Sequence, residues 1–115
     1  MKIFDLFKKE DGLYANLSKK QYKKLIQNET LKPMYLIDIR FGGSTKESNL
    51  IYVPANIVNI KNEIDDELEI FMQKGMKVTD YECNLRYKGK SYIPKKIEIR
   101  AFIDDKEYIR NIEVW

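Results

Sequence analysis

The sequence predicts an α+β fold: a mostly antiparallel sheet of about five strands in the order αββαβββ, with two helices packed on one face. Three observations point there. Ser18-x-x-Gln21 stands just ahead of apolar residues at 22, 25 and 26. Ile57, Ile60, Ile64, Leu68 and Phe71 step by three or four residues. From Tyr81 to the end, apolar and polar residues alternate in three runs. The chain of 115 residues is 43% hydrophobic and 34% charged, which suits a single globular domain over 1–115 with a core of its own.

Met1–Lys9 reads as a short amphipathic helix or turn, with Ile3, Phe4, Leu6 and Phe7 packed on the domain's own core. Ser18 and Gln21 have capping-box spacing, so each side chain can satisfy the other's free backbone N–H. The helix they open buries Tyr22, Leu25 and Ile26. It turns Lys19, Lys20, Lys23 and Lys24 to solvent and ends near Asn28–Thr30, ahead of Pro33. Alternation over Tyr35–Phe41 predicts a strand with Tyr35, Ile37, Ile39 and Phe41 on one face. Gly42-Gly43-Ser44-Thr45 breaks it, and Leu50–Val53 is the return strand of a hairpin with a loose loop at 42–49.

Pro54 and Gly75 bracket the long helix, each in its favoured place at a helix start and just past a helix end. Residues 55–60 also fit an extension of the sheet. Glu63, Asp65, Asp66, Glu67 and Glu69 fall mostly off the apolar stripe and form a solvated acidic face. In the closing meander, a tight turn at Lys88-Gly89 and a bulge at Pro94–Lys95 set Ile97 opposite Tyr81, Ile99 opposite Thr79 and Lys96 opposite Glu82. A turn at Asp104–Glu107 sets Ile103 opposite Tyr108, Ile99 opposite Ile112 and Ile97 opposite Val114.

The chain has no histidine and one cysteine, Cys83. This removes the Ser-His-Asp triad, the Cys-His dyad and the familiar Cys/His zinc sites. Cys83 lies in an apolar pattern and reads as a small buried hydrophobe in a reducing compartment. Gly42-Gly43-Ser44-Thr45-Lys46 lacks P-loop spacing and precedes a strand instead of a helix. The acidic run 63–69 lacks the glycine of an EF-hand loop, and Asp104-Asp105 suits a turn. No cofactor or metal is expected. Abundant Lys, Ile and Asn match AT-rich codons and suggest a bacterial source. With no membrane-length apolar run and no signal-peptide pattern, the expected location is the cytoplasm.

Net charge is +3, but the charges are segregated: residues 77–100 carry seven Lys/Arg against three acids, and residues 55–75 two Lys against five acids. Three function classes remain. The leading one is a non-enzymatic protein-binding module, such as an immunity protein that blocks a toxin or enzyme. Its partner surface would be Arg100, Phe102, Ile109, Asn111 and Trp115 on the sheet's second face, with Phe102 paired to Ile109 and Arg100 to Asn111, together with Asp65, Asp66 and Glu69 of the acidic helix. The alternative is single-stranded nucleic-acid binding by Lys19, Lys20, Lys23 and Lys24 and by Arg86, Lys88, Lys90 and Tyr92, where cations and aromatics interleave. An enzyme using Tyr, Lys, Asp, Glu or Arg is the third, with no nucleophile beside an evident base. A free edge at Tyr108–Trp115 would also allow a homodimer by strand addition.

Overall fold

A computed structural model describes residues 14–115; the reading of Met1–Lys9 lies outside them. The order is α1 (Lys19–Gln27), β1 (Leu31–Tyr35), two short 3-10 turns (Ile39–Phe41 and Glu47–Asn49), β2 (Leu50–Pro54), α2 (Ala55–Gln73), β3 (Val78–Arg86), β4 (Lys96–Ile103) and β5 (Lys106–Glu113). The class is α+β, but the strands form two antiparallel sheets, β1-β2 and β3-β4-β5, and not one of five strands. Both strands of the small sheet carry a proline, Pro33 and Pro54, which offers no N–H to a further neighbour. β2 also runs directly into α2, so the ribbon stays short.

The capping box at the head of α1 forms as the sequence predicts: the Gln21 N–H donates to Ser18 Oγ at 3.1 Å, and the Ser18 N–H donates to Gln21 Oε1 at 2.9 Å. Tyr22, Leu25 and Ile26 then pack on Tyr14, Leu17, Leu31 and Ile93. α1 therefore sits against β1 and the connection 87–95.

The strand expected over Tyr35–Phe41 lies earlier, at Leu31–Tyr35. Side chains capture the backbone beyond it. Asp38 Oδ1 accepts from the Arg40 N–H at 3.0 Å and caps the 3-10 turn Ile39–Phe41. The buried Asn49 accepts from the Ile37 N–H at 2.9 Å and donates to the Ile37 and Ser44 carbonyls at 2.8 and 2.7 Å. Such local bonds compete with a strand ladder. Gly43 is required here, because a Cβ would fall 1.7 Å from the Ile37 carbonyl oxygen. The 36–49 connection is thus a built structure and not a loose loop.

α2 is helical from Ala55, which decides the ambiguous 55–60 segment. Gly75, with φ +87°, follows its C-cap. Its fully buried positions are Ile57, Lys61, Asp65 and Leu68, while Ile60 is 38% exposed. The stripe is therefore rotated from the purely apolar one read in the sequence, and two charged side chains lie on its midline. Ile57 joins Met34 and Val53 of the small sheet to Ile97, Ile99 and Ile112 of the large one. Leu68 packs on Ala101 and Tyr108 nearer its C-terminus.

Both meander registers differ from expectation. Asp104 and Asp105 take φ +47° and +66°, so two residues turn the chain where four were expected. Positive φ at both central positions marks a primed turn, which matches strand twist and tolerates Asp. Ala101 then pairs with Tyr108 and Ile97 with Ile112. β3 and β4 are joined by the 87–95 connection and not by a tight turn, placing Leu85 opposite Ile97 and Cys83 opposite Ile99. Ile93 and Pro94 are buried, which draws this connection into the core; the chain turns at Gly89–Lys90, where the Ser91 N–H donates to the Lys88 carbonyl at 3.4 Å, but the strands do not pair directly across that turn. The bulge falls between Thr79 and Glu82, around Asp80 with φ +54°, instead of at Pro94–Lys95. The β4–β5 register shifts by two residues and the β3–β4 register by four over Glu82–Arg86, so those side chains keep their faces, whereas beyond the bulge Val78 and Thr79 shift by three.

Candidate functional site

Three constellations result. The first is buried. Asp65 Oδ2 accepts from Lys61 Nζ at 2.7 Å, one helical turn away, and Asp65 Oδ1 accepts from the Tyr81 hydroxyl at 2.6 Å. Asp65 is fully buried and Lys61 is 2% exposed, with Nζ 5.6 Å from the Tyr81 ring centre. Phe41 stacks on Tyr81 at 5.1 Å. Burial, and then the hydrogen bond to Asp65, push the Tyr81 hydroxyl far above its usual range. Burial raises the neighbouring Cys83 thiol to about 11, so it stays protonated at neutral pH. Each polar side-chain atom of the arrangement has a partner, and the bonds lock α2 onto β3.

Asp65 is therefore unavailable to a partner, correcting its place on a solvated acidic face. Asp66 and Glu69 remain partly exposed, but both accept from Arg40 Nη1, Asp66 at 2.7 Å. Burial pulls the Arg40 guanidinium downward, but these hydrogen bonds outweigh it and hold the group above its usual value. Asp66 and Glu69 thus tie α2 to the 39–41 turn, while Glu67 accepts from Arg110 of β5 at 3.0 Å.

The second constellation is the outer face of β3-β4-β5, opposite α2. Arg100, Phe102, Ile109 and Asn111 share it, as the alternation predicts. Their pairing differs from expectation: Arg100 lies opposite Ile109, Phe102 opposite Glu107, and Asn111 opposite Glu98. Arg100 Nη2 donates to Glu107 Oε2 at 2.8 Å, and Nε lies 3.8 Å from Glu98. Asp80, Glu82, Arg100, Phe102 and Glu107 line a recess of about 240 Å³. Among the described residues, no element packs over Phe102, which is 37% exposed.

Trp115 does not belong to this face. It lies beyond the end of β5, and its indole N–H donates to the Ile93 carbonyl at 3.1 Å. Lys95 Nζ sits 4.5 Å over its ring and donates to its carbonyl at 2.6 Å. Trp115 packs with the Leu31–Ile93 cluster beside α1 instead.

The third constellation joins two separate sequence predictions. Tyr22 of α1 stacks on Tyr92 with ring centres 5.1 Å apart and planes 15° from parallel. This brings the lysine-bearing helix against the connection that holds Lys88 and Lys90. Tyr22, Glu47, Leu50, Ile51, Tyr52, Tyr87 and Tyr92 line a recess of about 270 Å³. Tyr87 and Tyr92 are nearly half exposed. Burial raises the Tyr22 hydroxyl, and the neighbouring Tyr87 and Tyr52 raise it further. Among the described residues, Lys19, Lys20, Lys23, Lys24, Arg86, Lys88 and Lys90 make no ion pair. Lys24 lies on the far flank of α1 with Gln21, Leu25 and Asn28. Arg86 pairs with Lys96 across the sheet.

Sequence reasoning missed Lys61, Asp65 and Tyr81 as a unit. The signal was present, since Lys61 and Asp65 are four residues apart and Ile57 and Leu68 continue their row. It also missed Tyr22 and Tyr52 as recess residues, because they come from segments distant in the chain. No described helix is long and apolar enough to cross a membrane, and among the described residues no three or more His, Cys, Asp or Glu side chains come together as metal ligands would. Comparison of the chain with protein-family models and with curated proteins finds no match in either.

Proposed function

We propose that this chain is a non-enzymatic, cytoplasmic protein-binding module of the inhibitor or immunity type, which docks a protein through the outer face of β3-β4-β5. The observation that carries the reading is the Arg100–Phe102–Ile109 patch, which no described element covers. Aromatic and arginine side chains are the types that dominate interface energetics. Here they stand on strands backed by Ile97, Ile99 and Ala101, all fully buried, so little order has to be gained on docking. Arg100 is already oriented by Glu107 and Glu98. The acids around Phe102 favour a partner that presents positive charge at this point.

The test is capture from a nuclease-treated lysate of the source organism with the tagged full chain. The reading expects one near-stoichiometric protein bound by the wild type and lost from both Phe102→Asp and Arg100→Glu. Equal capture by both variants would remove this face from the proposal. No captured protein would overturn the reading.

A further inference from the structure

The tyrosine-lined recess between α1, the start of β2 and the 87–95 connection is independent of the sheet face and shares no residue with it. The geometry points to a binding site for single-stranded nucleic acid, in which an unpaired base stacks on Tyr87 and the flanking phosphates meet Lys19, Lys23, Lys88 and Lys90.

Four tyrosines from three segments converge there, although nothing in a small core requires them to. The Tyr22–Tyr92 stack is already formed and fixes one wall. Tyr87 is left 49% exposed, with ring surface available to a flat partner. The recess is smaller than the roughly 300–1,000 Å³ of pockets that enclose a whole ligand. It suits one planar ring of an extended chain better than a free metabolite.

The charge around the recess selects among extended chains. Lys19 stands one turn before Tyr22 on the same side of α1, and Lys23 directly follows it. Lys88 follows Tyr87, and Lys90 lies two residues before Tyr92. All four lysines are exposed, and exposed cations beside aromatic faces are the pattern of sequence-tolerant single-strand binding. A proline-rich peptide would also use an aromatic groove, but it has no need of a cationic rim. One acid, Glu47, lines the recess and repels phosphate, so the backbone is expected to run along the lysine side.

Fluorescence anisotropy of a labelled dodecamer of deoxythymidylate with the full chain tests this. Binding should weaken with salt at a logarithmic slope of about −2, as expected for roughly three phosphates at 0.7 each. Tyr87→Ala should weaken it about tenfold, Tyr87→Phe should retain it, and Lys88→Gln with Lys90→Gln should reduce the slope by about one. Glu47→Gln should tighten binding modestly. Phe102→Asp should leave it unchanged, which separates this site from the protein-docking face. Circular dichroism of each variant confirms folding, and Tyr87→Phe keeps the comparison valid if Tyr87→Ala unfolds. No binding at low salt would overturn the inference. So would equal affinity for a duplex with no loss in Tyr87→Ala, which would mean diffuse attraction to lysines. Saturable binding of decaproline at Tyr87 without binding of the oligonucleotide would reassign the recess to a peptide.

Discussion

α1 and α2 each bury one stripe, but they treat charge in opposite ways. α1 keeps its lysines on the solvent side and packs only Tyr22, Leu25 and Ile26. α2 carries a lysine and an aspartate down the middle of its buried face. The difference shows when periodicity alone is enough. A stripe of purely apolar side chains fixes a helix's orientation by area removed from water. A buried ion pair fixes it by hydrogen bonds that only one rotation of the helix can make. Here those bonds run to Tyr81 on β3, so α2 is keyed to one strand as well as seated on a sheet.

The sharpest break in this comparison is Asp65→Ala. It leaves Lys61 buried without its partner and removes the acceptor for Tyr81, and should destabilise the fold by about 3–5 kcal/mol. Chemical denaturation would measure it. Replacing the whole unit, by Lys61→Met, Asp65→Leu and Tyr81→Phe together, should restore most of that loss, because a packed apolar set often equals or exceeds a buried ion pair. If the triple variant is no more stable than the single one, the loss comes from packing and not from the pair.

Alkaline titration gives the next largest effect, and it is greater on the α2 side, although burial also raises Tyr22 and Tyr87 beside α1. Burial raises Cys83 from its ordinary value of 9 to about 11, and also raises Tyr81. A raised pKa means that the native state favours the protonated form. Its contribution is fully present below the unfolded pKa and is lost as pH rises through the folded one. Stability should therefore fall between pH 9 and 11. The same shift predicts that Cys83 alkylates about a hundredfold more slowly than a free thiol at pH 8, since two pKa units separate them. Iodoacetamide kinetics would show this, and a rate near that of a free thiol would contradict the burial of the site.

On the α1 side the effects are smaller. Ser18→Ala removes the cap and one half of the reciprocal pair with Gln21, and should lower the unfolding free energy by about 1 kcal/mol. Amide exchange should concentrate that loss in α1, leaving α2 unchanged. The smallest effect is expected at Tyr108. Its hydroxyl is buried and makes no hydrogen bond of good geometry among the described residues, although the Glu67 carboxylate lies near enough to act on it. Burial, the largest cause, raises it to about 12. Tyr108→Phe should be neutral or slightly stabilising, because at most a poorly aligned contact with Glu67 is lost with the oxygen. A clear destabilisation in thermal melts would show that the hydroxyl has a partner.

Particular residues show where the reading of the chain succeeded and where it stopped. Ser18 and Gln21 announced their helix because a capping box is complete within four residues. Ile97, Ile99 and Ala101 announced their face because strand alternation depends only on the backbone. The register did not follow, because it was set by two aspartates that accept positive φ and by the burial of Ile93 and Pro94. The recess was half legible: Tyr87, Tyr92 and their lysines are neighbours in sequence, whereas Tyr22 and Tyr52 reach them only through folding.

Local geometry repeated at a fixed period was enough to set the order of elements, the faces of the meander strands and the buried side of α1. Tertiary structure alone decided that five strands divide into two sheets, that Asp65 turns inward to Lys61 and Tyr81, and that Trp115 leaves the sheet face for Ile93. These outcomes depend on which polar groups find partners once the layers meet. No period along the chain encodes that.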